Sequence, residues 1–206
     1  EQYPFVFIGR RELPDAALSY AAADYTTATV DMVDYLFGLG HRRIAYLGAH
    51  ANTESLRDRR LGYRMAFARR DLPLDPTWSW LHSPATLPAS TTGELHAVLT
   101  GWLRQDVTAV LVESGPNLPL LLPACAELEI DVPRDLSLAF LGDLTVDLPW
   151  ELEPTTFAIP RQEMGAAAVR LLGDLLAQED AAAVRQVTLP CRLVIGTSCA
   201  QPRAGP

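Results

Sequence analysis

Cysteine is scarce. The 206 residues hold three, Cys125, Cys191 and Cys199, an odd number with no CxxC spacing and no histidine at metal-ligand distance along the chain. That fits neither a disulfide framework nor a zinc motif, and reduced thiols in a cytosol are the simplest account. No uninterrupted apolar run approaches the ~20 residues that span a bilayer, and the amino terminus lacks the basic, apolar and small-residue zones of a secretory signal. Excess positive charge is missing as well. Seventeen Lys and Arg face 25 Asp and Glu, a formal charge of −8. Duplex DNA binding depends on cations that neutralise phosphates, so any nucleic-acid contact is expected from a segment outside this chain.

Catalytic signatures are absent too. Ser114-Gly115 and Ser137 lack the glycines of a nucleophile elbow, no phosphate loop or dinucleotide fingerprint occurs, and Gly38 and Gly40 follow a helix rather than a strand. His41, His50, His82 and His96 show no HxH or HxxxH spacing. Neither an enzyme, a cofactor nor a metal is expected. His41 reads as a residue just past a helix C-terminus, where partial positive charge is favourable.

What remains is the pattern of an α/β protein. With 49% apolar and 20% charged residues the chain is an ordinary globular one, long enough for one domain or two intimate lobes. Strand and helix alternate: a strand over Pro4 to Gly9, a weak strand near Leu18 to Ala23, a helix over Tyr25 to Leu39 ended by Gly40, and a strand over Arg42 to Gly48. A helix over Ser55 to Arg70 comes next. Thr77 to His82 is a possible strand, and a helix over Thr92 to Arg104 follows. Then come a strand at Thr108 to Glu113, a helix at Asn117 to Glu129 and a strand at Leu136 to Leu141. A last unit has Thr155 to Ile159 extended, a helix from Pro160 through Leu175, and one alternating strand over Gln186 to Ile195. The arginines at 57, 60, 64, 69 and 70 read as a solvated helix face. Trp78 and Trp80 suit a core or interface better than ring stacking on a ligand.

Ile8-Gly9-Arg10, Asp24, Gly40-His41-Arg42-Arg43-Ile44-Ala45, Arg59 with Gly62-Tyr63-Arg64, Thr108-Ala109-Val110, Val132-Pro133-Arg134-Asp135-Leu136-Ser137, Pro154-Thr155-Thr156, Glu163-Met164-Gly165 and Leu189-Pro190 occur in that order. In this order and spacing the chain resembles the effector-binding domain of the lactose-repressor (LacI/GalR) family of bacterial transcription regulators. The resemblance implies a two-lobed, periplasmic-binding-protein-like fold of type I. Each lobe would be a doubly wound parallel sheet flanked by helices, with a small molecule, a sugar or another metabolite, held between the lobes. It places residues 1–40 and 151–183 in an amino-terminal lobe, 41–150 and 184–200 in a carboxyl-terminal lobe, and 201–206 in a tail. The helix-turn-helix headpiece and the opening of the first lobe have no counterpart here. The strand at Pro4 to Gly9 and the helix at Tyr25 to Leu39 are therefore expected to lack neighbours and to drive association, as a dimer or by exchange of elements.

The same resemblance implies the site. Arg59 takes the place of the family's ligand-forking arginine, Asp24 that of an acid at a strand end, where it can equally cap the following helix, and Arg10 the mouth of the cleft. Where sugar-binding members present an Asn-Asp pair, this chain has Glu113-Ser114, and Asp143 is the acid left after the fourth strand. These departures, with Phe157-Ala158-Ile159 in place of a polar residue, make a polyhydroxylated sugar a poorer match than a less polar effector. Leu118, Leu121, Leu122 and Cys125 fall where family members dimerise. The expected function is therefore effector sensing in a cytoplasmic homodimer that controls operator DNA through a headpiece outside the chain. The rival is an extracytoplasmic solute-binding protein of the same architecture.

Overall fold

The helix predicted from Tyr25 to Leu39 has those bounds. Asp24 caps it by accepting from Thr27 N at 2.9 Å. At the other end Gly40 adopts φ 107°, and the Gly40 and His41 amides bond back to the Phe37 and Leu36 carbonyls, a left-handed cap that favours glycine. The structure, a computed structural model, describes residues 3–82, 89–113, 118–144, 152–177 and 184–203. Its elements are β1 (Phe7–Ile8), β2 (Tyr20–Ala23), α1 (Tyr25–Leu39), β3 (Ile44–Ala49), α2 (Glu54–Ala68), β4 (Ser79–His82), α3 (Ala89–Arg104), β5 (Ala109–Val112), α4 (Leu118–Glu127), β6 (Ser137–Phe140), β7 (Thr156–Ala158), α5 (Arg161–Ala177), β8 (Gln186–Leu189) and β9 (Arg192–Val194). A 3-10 turn, Pro76–Trp78, precedes β4.

Two parallel sheets result, of order β1-β2-β8 and β4-β3-β5-β6. The second is the core of the molecule. Every residue of β5 and β6 is buried, which explains why these strands read as unbroken apolar runs rather than alternating ones. The first sheet rests on α5, through Ala21 against Ala167, Ala168 and Leu171.

Helices α1 and α2 meet closely at Gly62. A Cβ there would stand 2.8 Å from the Thr29 Cβ and closer still to the Thr26 carbonyl oxygen. Gly62→Ala is thus expected to lower stability by about 1–3 kcal/mol, read as a drop in the denaturation midpoint; an unchanged midpoint would show that the helices separate freely.

Four expectations are corrected. Gln186 to Ile195 is two strands, because Pro190 cannot continue a ladder. β8 joins β2 in parallel, while β9 pairs antiparallel with β7. Residues 186–189 therefore belong with the first sheet rather than the second. Helix α1, placed by sequence in the first lobe, buries Met32, Val33, Leu36 and Phe37 in the core of the second sheet, so it does not lack neighbours. β1 does carry an unpaired edge among the described residues, with Phe5 and Ile8 exposed. Finally, Leu121, Leu122 and Cys125 are buried in the chain's own core. α4 packs against α3, which leaves these three side chains no surface for a partner. Leu118 begins α4, but its side chain lies outside the described ones.

Candidate functional site

Chain connections between the two sheets pass at three neighbouring places: Asp24–Tyr25, Ile159–Arg161 and Pro190–Cys191. Asp24 N donates to Leu189 O at 2.8 Å, and the Tyr25 and Phe157 rings lie 6.3 Å apart, so the crossings form one waist. Arg59, buried on α2, rests on it. Its guanidinium carbon stands 3.9 Å over the Tyr25 ring and 5.9 Å from that of Phe157. Nε donates to Leu141 O at 2.9 Å and Nη1 to Ser55 O at 3.0 Å. Two of its three nitrogens thus hold protein carbonyls, and no described residue accepts from Nη2. Burial pushes the nearby Cys191 thiol up to about 11, with Arg59 pulling it down and Asp24 pushing it up.

Beside the waist lies a cavity of about 210 Å³. One wall is the carboxyl ends of β1 and β2 with the residues after them (Ile8, Arg10, Ala23, Tyr25); the other is the first turns of α2 (Glu54, Ser55, Asp58). This is where a parallel sheet offers ligand groups, outside its strand ends and facing a helix start.

Across this cavity runs a set of ion pairs. Arg10 donates to Asp58 at 2.6 Å and also pairs with Glu12. Arg11 meets Glu54 at 3.2 Å, Arg57 meets Glu12 at 2.5 Å, and the Glu12 amide donates to Glu54 at 3.0 Å. The loop after β1 is thereby clasped to α2. Burial raises the Asp58 carboxyl above the ordinary Asp range despite the opposing Arg10. The hydrogen bond from Arg10 lowers Glu12, and backbone amides, its own first, lower Glu54.

Of the residues named from sequence, Arg10 lines this cavity, whereas Arg59 and Asp24 stand at the waist behind it. Glu113 does not line it. Its buried carboxylate accepts from the Tyr46 hydroxyl and from Ala49 N at 2.8 Å, with Arg60 Nε at 3.8 Å, because it leaves β5 pointing under the α2 helix. Asp143 accepts from Ile159 N at 3.2 Å and pairs with Arg161, holding β6's loop to the start of α5. Ser114 lies outside the described residues.

Sequence reasoning missed Asp58, Glu54 and Glu12, and it read Arg57, Arg60 and Arg70 as solvated. In fact they bind Glu12, the Ala49 and Ala51 carbonyls, and Asp34. Opposite charges at 10–12 and 54–58 were the available signal. His41 is not a charged cap. It is buried between Thr108 Oγ1 at 2.8 Å and Ala200 O at 2.9 Å, and desolvation lowers its pKa, which favours the neutral ring. Trp78 is in the core as expected, and Trp80 stacks on His82 with ring centroids 5.7 Å apart.

Among the described residues no helix is long and apolar enough to cross a membrane, and no group of three or more His, Cys, Asp or Glu is placed to hold a metal ion. The periplasmic binding protein-like domain family matches residues 33–199. The HTH-type transcriptional repressor CytR of Escherichia coli K12 is 29% identical over 184 residues, 88% of this chain and 52% of that protein. The HTH-type transcriptional repressor MelR of Bacillus subtilis is 26% identical, over 94% of this chain and 56% of that protein. The chain spans about half the length of these curated relatives, which are transcriptional repressors rather than enzymes. The structure of the transcriptional regulator CelR with cellobiose superposes with a TM-score of 0.77 at 25% identity, covering 95% of this chain and 58% of that one. A LacI regulator structure from Bacillus cereus gives 0.76 at 24%, covering 97% and 69%. Matched over most of its length and carrying both parallel sheets, the chain belongs to the periplasmic-binding-protein-like family, as an effector-binding domain of the LacI/GalR type.

Proposed function

We propose that this domain senses a small metabolite in the cavity between its two sheets and passes the resulting change in closure to a DNA-binding segment outside these residues, in a cytoplasmic homodimer. The reading rests on one observation above all. The carboxyl ends of β1 and β2 face the first turns of α2 across a half-open cavity, with Arg10, Ser55 and Asp58 among the polar groups at its walls. A ligand that touches both walls binds the closed arrangement better than the open one, and this differential affinity drives the change. The lobes so defined are β1, β2, β8 and α5 on one side and the remaining described elements on the other, with the waist as hinge.

Arg10 is the direct ligand donor in this scheme. Arg59 and Asp24 act behind it, fixing the hinge through Tyr25 and Leu189. A volume near 210 Å³ favours a small polar effector over a disaccharide. Cellobiose in CelR shows what that relative takes, and a cavity of about 210 Å³ here argues for a lighter guest.

The test is a thermal-shift screen of the protein against sugars, nucleosides and small acids, repeated with Ser55→Phe, whose ring fills the cavity from the α2 side. A compound that stabilises the wild type is expected to lose at least about tenfold in affinity in the variant, or ~1.4 kcal/mol. Equal stabilisation of both proteins would remove the cavity from the function.

A further inference from the structure

A second cavity, of about 400 Å³, lies along another face of α2, between the carboxyl-terminal half of that helix and strand β4. β4 is the edge of its sheet among the described residues, so α2 covers β3 and overhangs β4. The walls are mostly carbon. Tyr46 and Tyr63 commit their hydroxyls to Glu113 and, at 2.6 Å, to Ile44 O, and they line the space together with Leu74, Pro76 and Leu81.

Arg60 and Arg64, one helical turn apart, supply cations to the same wall. Nη2 of Arg60 is held by the Ala49 and Ala51 carbonyls at 3.0 and 2.6 Å, and its buried Nε makes no hydrogen bond but faces Glu113 Oε1 at 3.8 Å. Arg64 is exposed and has no ion-pair partner among the described residues. Asp75, the acid among the described lining residues, accepts from the Thr77 amide at 2.8 Å and hydroxyl at 2.7 Å, and these bonds hold it ionised. The cavity thus has mostly carbon walls and one exposed guanidinium, that of Arg64, with no ion-pair partner among the described residues, while Arg60 faces the buried Glu113 carboxylate.

We propose that this cavity binds a small organic monoanion, an aryl or alkyl carboxylate, as a site separate from the cleft. Its carboxylate meets the exposed Arg64 guanidinium, with Arg60 one turn away on the same wall, and its ring or chain lies against Tyr63 and Leu81. A polyol is excluded because the carbon walls would leave its hydroxyls unpaired on desolvation. Arg60 holds the segment that leads into α2, and the first turn of α2 lines the cleft, so occupancy here is coupled to the cleft through one helix.

Calorimetric titration of the 206-residue protein with phenylacetate, benzoate and hexanoate, with phenylacetamide as the uncharged control, tests this. At least one of the carboxylates is expected to saturate the protein in the millimolar range or below, and the amide to do so at least about tenfold more weakly. Arg64→Gln and Ser79→Phe, both at exposed positions, are each expected to weaken that carboxylate by about tenfold or more while melting cooperatively. Saturation by none of the three, equal binding of the amide, or full affinity in folded Ser79→Phe overturns the proposal.

Discussion

Glu113→Ala lowers stability by about 3–5 kcal/mol, the range for removing one partner of a buried ionic cluster. The carboxylate is 2% exposed and takes hydrogen bonds from the Tyr46 hydroxyl and the Ala49 amide, with Arg60 Nε at 3.8 Å. Truncation orphans a phenol and an amide in the core and leaves the Arg60 guanidinium without its nearby countercharge. Each orphaned group costs about 1–3 kcal/mol on its own, so the sum is large even after relaxation. Space does not rescue the variant, because a cavity opens where the side chain now reaches Gly48, whose added Cβ would meet Glu113 Oε2 at 2.6 Å. Glu113→Gln keeps the shape and an acceptor for Ala49 N, so it falls between the alanine variant and the wild type. Urea denaturation followed by tyrosine and tryptophan fluorescence measures both, and a loss under about 1 kcal/mol for the alanine variant would show that water replaces the carboxylate, as it does at exposed sites.

Glu113 also shows what the chain disclosed and what it hid. Helix α1 was legible to the residue, because apolar spacing, an Asp cap and Gly40 agree, and β5 was legible because both of its faces are covered. The strands of the second sheet were read within a few residues for the same reason. Local pattern could not show which sheet a strand would join. Gln186 to Ile195 alternates as one strand should, yet Pro190 divides it between two sheets, and that choice is made by partners far away in sequence. The polar network was harder still. Arg59 was singled out as a ligand donor, but its attachment to Leu141 O and the Tyr25 ring comes from a close approach of α2 to the waist that Gly62 permits against Thr26. His41 looked like a cap because it follows one, and only the tail residue Ala200, 159 positions away, makes it a buried bridge. Leu121, Leu122 and Cys125 were read as a dimer face because the sequence does not reveal that α4 packs against α3 and buries them.

Asp58→Arg opens the cleft. In the wild type the Asp58 carboxylate, 11% exposed, is the most sheltered acceptor of the clasp and pairs with Arg10 at 2.6 Å. The substitution sets a fourth guanidinium among Arg10, Arg11 and Arg57, converting an attraction across the cavity into a repulsion. A hydrogen bond between charged groups is worth about 1.5–3 kcal/mol, while the exposed Arg57–Glu12 and Arg11–Glu54 pairs add little. An effector that requires closure should therefore bind roughly tenfold to a hundredfold more weakly. Small-angle scattering is expected to show a larger radius of gyration, and the double swap Arg10→Asp with Asp58→Arg to restore the compact value; identical curves for wild type and Asp58→Arg would show that the clasp does not hold the lobes. Acid gives the same argument a sign. The folded state raises the Asp58 pKa, so this group binds its proton at higher pH folded than unfolded. Its protonation then releases Arg10 without costing stability. Glu12 and Glu54 are lowered from 4.5; what they contribute is present above that value and is lost as pH falls through their lower folded values. On acidification the buried end of the clasp thus lets go first, and scattering should register opening before the unfolding signal moves.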